Sequence, residues 1–371
     1  MDKAVGILGI GTFLPPAIRS NDFWPKDWKP LEERTRRRDM LAVERSTNGS
    51  SPPLPAEIVA ALAALGDDPF RGARFRRFLD DGADVSDMEA EAVRRALRSS
   101  GTQPDEIDLV LVSSLVSDYV MPGNGAALQA KCELSNAAAL AIEPGGCAGF
   151  QPQMVMAAAL VRTGVYRRVL CVLSSAASRI LDYTTPMSTT FGDGAAAAVV
   201  GEVPAGRGLI GHWMRTAGNL RDGVVYVPVI DGKPRRKWHA EPGPIKITAL
   251  DADATKEAGR RGPEYCREAC LGALAAAGLS MSDVKLYVGN QSLGWFVDAC
   301  RRALGLPAEK TIDTFAEIGS IGPASVLYNL DRAHRDGRLE DGDVVLIYSP
   351  GAGLIRTAAV YRWTPAGISE P

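Results

Sequence analysis

No apolar run in this chain approaches the roughly 20 residues that a bilayer-spanning helix needs. Runs such as Ala195–Val200 are short and stand between turn residues. The start, Met1-Asp2-Lys3-Ala4-Val5, lacks the basic segment and long apolar stretch of a secretion signal, so a cytoplasmic protein is the expectation. Net charge is only −2, which removes any global pull toward nucleic acid or a membrane surface. Histidine is scarce, with His212, His239 and His334 the whole supply. The six cysteines, Cys132, Cys147, Cys171, Cys266, Cys270 and Cys300, are too scattered for a disulfide framework. Cys266 and Cys270 stand four apart on a predicted helix, but no histidine or second cysteine pair accompanies them. They read as small buried hydrophobes and not as a metal site, and no cofactor is expected.

What the chain does have is an ordinary globular balance, 46% apolar and 23% charged, over 371 residues. That length exceeds one typical small core and predicts two domains or half-domains sharing one. After a strand at Val5–Phe13, helices and strands alternate, and they do so twice. In the first half a helix over Ser86–Ser100 leads to a strand at Asp108–Ser114. A helix over Gly149–Thr163 then leads to Val169–Ser174, and Ala195–Val200 follows. In the second half a helix over Pro263–Ala277 leads to Lys285–Gly289. A helix over Pro323–Arg335 then leads to Val344–Tyr348, and Thr357–Trp363 closes the chain. Gly101 and Gly278 cap the first helix of each half. Continuous apolar runs such as Leu109-Val110-Leu111-Val112 and Val344-Val345-Leu346-Ile347 read as strands covered on both faces. The repeat predicts two similar α/β halves, 1–205 and 206–371, sharing one layer of helices between two sheets. Two excursions stand outside it. The first, about 21–80, is rich in Trp, Pro and Arg and holds one helix at Pro55–Leu65. The second, about 218–243, carries Pro228, Pro234 and Pro242 and reads as surface loop.

Gly145-Gly146-Cys147-Ala148-Gly149-Phe150 lies between a predicted strand at Ala138–Ile142 and an apolar helix. The turn sets Cys147 before a helix N-terminus, with its unpaired N–H groups and roughly half a positive charge. Both favour thiolate over thiol and make the sulfur a better nucleophile. The glycines leave room for a thioester. A buried cysteine in a tight turn is the structural alternative.

Gly146-Cys147-Ala148-Gly149-Phe150 resembles the active-site segment of the β-ketoacyl-ACP synthase III family, within the thiolase superfamily. Phe191-Gly192-Asp193-Gly194-Ala195, Ala324-Ser325-Val326, Asp341-Gly342-Asp343, Gly351-Ala352-Gly353 and Gly9-Ile10-Gly11-Thr12-Phe13-Leu14-Pro15 resemble the other signatures of that family in order. The resemblance implies a thiolase fold, two pseudo-symmetric halves layered α-β-α-β-α, usually as a homodimer. It implies that Cys147 accepts an acyl group from acyl-CoA or an acyl carrier protein. The backbone N–H of Cys147 and one from Ala352 or Gly353 would then form the oxyanion hole.

The family sets a His and an Asn beside the cysteine to support decarboxylation. Asn290, followed by Gln291, takes the His position here, and Ser320 takes the Asn position. None of the three histidines occupies a family site position. His334 reads as a solvated face residue, and His239 is a candidate to fold over the pocket. An amide and a hydroxyl can donate hydrogen bonds but cannot act as a base near neutral pH. Acylation of Cys147 is therefore expected to survive, and transfer to the second substrate to proceed without decarboxylation, in polyketide or other secondary metabolism. A decarboxylative synthase and a non-catalytic partner subunit are the alternatives. Arg36, Arg37, Arg38, Arg74 and Arg76, with Gln291, are candidates to bind CoA phosphates or an acidic carrier protein, against a solvated surface with local ion pairs.

Overall fold

A computed structural model describes residues 3–28, 53–143 and 145–365. The chain opens with β1 (Val5–Phe13), β2 (Ala17–Ser20), α1 (Ala56–Ala64), β3 (Phe75–Phe78), α2 (Val85–Ser100), β4 (Leu109–Ser114), α3 (Gly125–Lys131) and β5 (Ala138–Ala141). It continues with α4 (Phe150–Arg162), β6 (Val169–Ser175), β7 (Gly194–Glu202), β8 (Gly208–Thr216), β9 (Val225–Ile230), β10 (Lys233–Pro234) and β11 (Ile245–Thr248). α5 (Ala252–Ala276), β12 (Val284–Gly289), α6 (Phe296–Ala303), α7 (Phe315–Ile318), α8 (Ala324–Arg335), β13 (Val344–Pro350) and β14 (Ile355–Arg362) complete it.

Two sheets carry the architecture. One has the order β1-β7-β6-β4-β5, the other β12-β13-β14-β8. Each apolar strand feeds two cores, because alternate residues point to opposite faces. In β6, Val169, Cys171 and Leu173 enter the central core while Leu170 and Val172 enter an outer one. In β13, Val345 and Ile347 face the centre and Val344, Leu346 and Tyr348 the far side. The centre is filled by α4 and α8, which lie between the sheets and bring Phe150, Met154, Val326 and Leu330 to it. α2 covers the first sheet and α5 with α6 the second, giving five layers, α-β-α-β-α. Close packing is built in: a Cβ on Gly11 of β1 would lie 2.1 Å from the Ala92 carbonyl of α2. Among the described residues no helix is long and apolar enough to cross a membrane.

Three expectations need correction. The helix expected from Pro263 starts eleven residues earlier, at Ala252, capped by Asp251, whose carboxylate accepts from Asp253 N and Ala254 N at 2.9 and 3.1 Å. Pro263 sits inside it, and i,i+3 pairs such as Arg260–Glu257 and Arg261–Glu264 support the stretch around the missing N–H. The second excursion is a three-stranded sheet, β10-β9-β11, and not loop. Val225-Tyr226-Val227-Pro228-Val229-Ile230 is β-branched and aromatic enough to outweigh its proline. The first excursion contains α1 as expected, and also β3, which pairs antiparallel with β2.

Candidate active site

Gly145 and Gly146 have φ of 48° and 63°, a region open to glycine, and this bend sets Cys147 in a single turn over Gly146–Ala148 just before α4. Two buried glutamines hold that helix between the sheets. Gln153 donates to Ser113 Oγ of β4 at 2.9 Å and to the Val172 carbonyl of β6 at 3.2 Å, and Gln151 donates to Ser349 Oγ of β13 at 3.0 Å. The sulfur position is thereby tied to both sheets. Cys147 is half-buried, and burial pushes its thiol up to about 12. Loss of solvent thus opposes the helix end and works against the expected preference for thiolate.

The turn after β13 packs on the cysteine turn. A Cβ on Gly351 would lie 1.7 Å from the Gly145 carbonyl, and one on Gly146 would lie 2.6 Å from Ala352 N. Neither contact tolerates a side chain, so the Ala352 amide is held against the cysteine turn. Gly353, at φ 70°, completes the bend.

Asn290 follows β12 and is fully buried. Its amide nitrogen donates to the Gly322 carbonyl at 2.8 Å and lies 3.5 Å from the Cys147 carbonyl. Its Oδ1 finds no partner. Ser320 is also fully buried, and its Oγ is likewise unpartnered, although its backbone is clamped: its N donates to Thr190 O, and its carbonyl accepts from Gly192 N, both at 2.9 Å. The Phe191-Gly192-Asp193 turn that holds Ser320 is itself held by the Asp193 carboxylate, which accepts from Leu79 N at 2.8 Å and Ser178 N at 3.0 Å. Asn290, Ser320 and the cysteine turn thus come together from three separate stretches of chain.

Other candidates fall elsewhere. Gln291 is buried, and its amide is spent internally: it donates to Gly319 O at 2.7 Å and accepts from Thr314 N at 3.1 Å and Asn329 Nδ2 at 2.8 Å. It braces the Ser320 loop and offers nothing to a carrier. Arg76 is buried too, donating to Thr189 O at 2.6 Å and stacking over Trp24, so it is a scaffold cation and not a surface contact. Arg74 is exposed; Arg36, Arg37 and Arg38 lie outside the described residues. His239 is exposed against Trp238, and His334 stacks on Trp363, 5.2 Å between ring centroids. Sequence reasoning missed Gln151, Gln153 and Tyr226. The two glutamines on an otherwise apolar helix were a usable signal. Tyr226 on β9 was hidden in a segment read as loop; burial raises its phenol, and a charge on Cys147 would raise it further.

The chain has known relatives. The β-ketoacyl-(acyl-carrier-protein) synthase III of Geobacillus kaustophilus is 32% identical over 298 residues, covering 79% of this chain and 87% of that one. The chain belongs to the 3-oxoacyl-(acyl-carrier-protein) synthase III family. The family model matches residues 144–218, which include the cysteine turn, and the model of its C-terminal part matches 274–363, which include Asn290, Ser320 and the 351–353 turn. The synthase III of Caldanaerobacter subterraneus is 28% identical, covering 97% of this chain and 98% of its own. Among solved structures, synthase III (FabH) from Thermus thermophilus superposes with a TM-score of 0.76 at 27% identity, over 97% of this chain and 100% of that one. The priming β-ketosynthase of the R1128 polyketide pathway also gives 0.76, at 25% identity, over 100% of this chain and 98% of that one. These confirm the thiolase-type architecture that the family resemblance implies.

Proposed function

We propose that this synthase III family member is a condensing acyltransferase: Cys147 takes an acyl group from acyl-CoA or an acyl carrier protein and passes it to a second substrate without decarboxylation. The supporting observation is the pair of buried orphan oxygens, Asn290 Oδ1 and Ser320 Oγ, on two stretches that the Asn290 nitrogen ties to the cysteine turn through the Cys147 and Gly322 carbonyls. Burying unpaired polar atoms costs about 1–3 kcal/mol each, which is expected where a ligand supplies the missing partner. The Ser320 hydroxyl can donate to a carbonyl and the Asn290 oxygen can accept from a donor, but neither can hold a proton or a charge at neutral pH. They suit an acceptor that carries its own acidity, such as a β-ketothioester, better than a malonyl group whose carbanion needs a cation. The Cys147 amide, with Ala352 or Gly353, would bind the oxyanion of each tetrahedral intermediate. A homodimer and a role in polyketide or other secondary metabolism accompany this reading.

Intact-protein mass after incubation with a panel of acyl-CoA and acyl-carrier thioesters tests it. The expected result is one acyl adduct that Cys147→Ala abolishes. An adduct that persists in the variant overturns the assignment of the nucleophile. A thiol pushed up to about 12 favours a second reading, a non-catalytic partner subunit; the absence of any adduct would establish it. Carbon dioxide release from malonyl-ACP would restore the decarboxylative synthase.

A further inference from the structure

The stretches that carry Asn290 and Ser320 are strapped side by side. Asn290 Nδ2 donates to the Gly322 carbonyl at 2.8 Å and Gln291 Nε2 to the Gly319 carbonyl at 2.7 Å, so Ser320 stands between the two residues that the 290–291 pair grips. The same Asn290 nitrogen lies 3.5 Å from the Cys147 carbonyl. These contacts fix which end of the amide is free. Turned over, the amide would set its oxygen against two carbonyl oxygens, so the nitrogen stays on them and Oδ1 is the end without a partner. Asn290 therefore offers a ligand an acceptor and no donor. Ser320 Oγ, also unpartnered, can accept as well as donate. Among the described residues neither side chain has a titratable partner. The Asn290 amide bonds to carbonyls, and the Asp193 carboxylate that holds the turn against Ser320 is occupied by Leu79 and Ser178. His212 and His239 are exposed, and His334 stacks on Trp363.

We propose that the acyl acceptor is a primary amine of low basicity, held by N–H donation to Asn290 Oδ1 and Ser320 Oγ, and that the product is an amide. The inference rests on the acyl-loading reading above and selects among acceptors that bring their own reactivity. A β-ketothioester presents carbonyl oxygens, which Ser320 can meet and the Asn290 oxygen repels. An alcohol has a single O–H to give and must surrender it to a base in order to attack, and these two side chains supply none. A primary amine has two N–H groups and a lone pair, so two accepting oxygens hold it with the lone pair free for the acyl carbon. Low basicity follows from the same lack of a base. An alkylamine with a pKa of about 10.4 stays an ammonium at neutral pH, whereas an arylamine arrives neutral. The account of bonds and protons closes. The nitrogen–carbon bond forms, the bond from the acyl carbon to Cys147 Sγ breaks, and one amine proton passes to the departing sulfur. Cys147 returns as the thiol and the amide leaves. Burial, which pushes that thiol up to about 12, strengthens the hold of the departing sulfur on the proton.

The test acylates the wild-type protein with the thioester that loads it, then chases with aniline, phenol, n-butylamine or acetoacetyl-CoA. Loss of the adduct is followed by intact mass and the product by its own mass. Hydrolysis in buffer and the same acyl thioester of N-acetylcysteine, free in solution, are the references. Aniline is expected to discharge the enzyme as the acyl anilide about 100-fold faster than it cleaves the free thioester, a modest share of what positioning contributes. Phenol and butylamine are expected to do no better than buffer. In Asn290→Ala the ratio of aniline discharge to hydrolysis is expected to fall about 10-fold, the scale of one hydrogen bond. Aniline that cleaves the loaded enzyme no faster than the free thioester overturns the inference, as does discharge by phenol at the rate of aniline. Discharge by acetoacetyl-CoA with a new carbon–carbon bond overturns it in favour of a carbon acceptor. Each of these leaves the acyl-loading reading intact. An unchanged ratio in Asn290→Ala overturns the assignment of Asn290 as the holding group. Wild-type protein that takes no acyl group from any donor overturns both readings together.

Discussion

Asn290 and Gln291 are neighbours in the chain and opposites in the fold. Both are amides, both follow β12, and both are fully buried. Gln291 has its oxygen and nitrogen engaged with Gly319, Thr314 and Asn329. Asn290 spends its nitrogen on Gly322 and leaves its oxygen empty. A buried amide with its oxygen and nitrogen both engaged is a strut; the Asn290 oxygen, like those of Gln151 and Gln153 on α4, is left for a partner that the protein does not supply. The contrast separates scaffold from candidate chemistry more sharply than residue type does, since sequence reasoning placed both residues at the site.

Truncation tests the contrast directly and gives its largest effect. Gln291→Ala strands a carbonyl, a backbone N–H and the Asn329 amide in the interior, and is expected to cost about 3–5 kcal/mol in urea denaturation. Asn290→Ala removes one good hydrogen bond and is expected to cost about 1 kcal/mol. Its greater effect should fall on transfer from the acyl-enzyme, at about 10-fold, the scale of losing one hydrogen-bond acceptor for the second substrate. Equal destabilisation by the two variants would erase the distinction.

A second fully used buried group extends the comparison to charge. Glu89 of α2 accepts from Asn124 Nδ2 at 2.8 Å and from the hydroxyls of Ser114 and Ser174, joining the helix to the ends of β4 and β6. Burial pushes its carboxyl up to about 7 from the ordinary 4.5, against those hydrogen bonds. A group whose folded pKa is raised binds its proton more tightly in the folded chain. Its contribution is therefore complete below about 4.5 and is lost as pH rises through about 7. The expected decline is about 3 kcal/mol of stability between pH 4.5 and 8. Denaturation across that window should show it, and Glu89→Gln should flatten it. A flat wild-type profile would mean that the serines hold the carboxylate ionised.

The boundary between legible and illegible runs along the same line. Strands buried on both faces announce themselves as continuous apolar runs, so β4, β6, β7 and β13 were readable within two or three residues, and the repeat gave the layers. Cys147 stood out because glycines flank it. Arg76 and Gln291 were misplaced because a charge or an amide looks the same in sequence whether it faces a carrier or a buried carbonyl; only the fold supplies Thr189 O and Gly319 O as partners. The raised thiol was illegible for a related reason: the helix end is visible in the pattern, while the depth at which the turn is buried depends on contacts with residues some 200 positions away.

The smallest effect is the most discriminating. Ser320 Oγ is buried with no partner, so Ser320→Ala deletes an unsatisfied group and leaves its clamped backbone unchanged. A strut behaves in the opposite way, since truncating it orphans others. Ser320→Ala is therefore expected to hold stability constant or raise it by about 1 kcal/mol, while slowing transfer from the acyl-enzyme. Gain of stability with loss of turnover is the signature of a polar group kept for its ligand. A loss of more than about 1 kcal/mol would assign the hydroxyl to the scaffold beside Gln291 and leave Asn290 alone opposite Cys147.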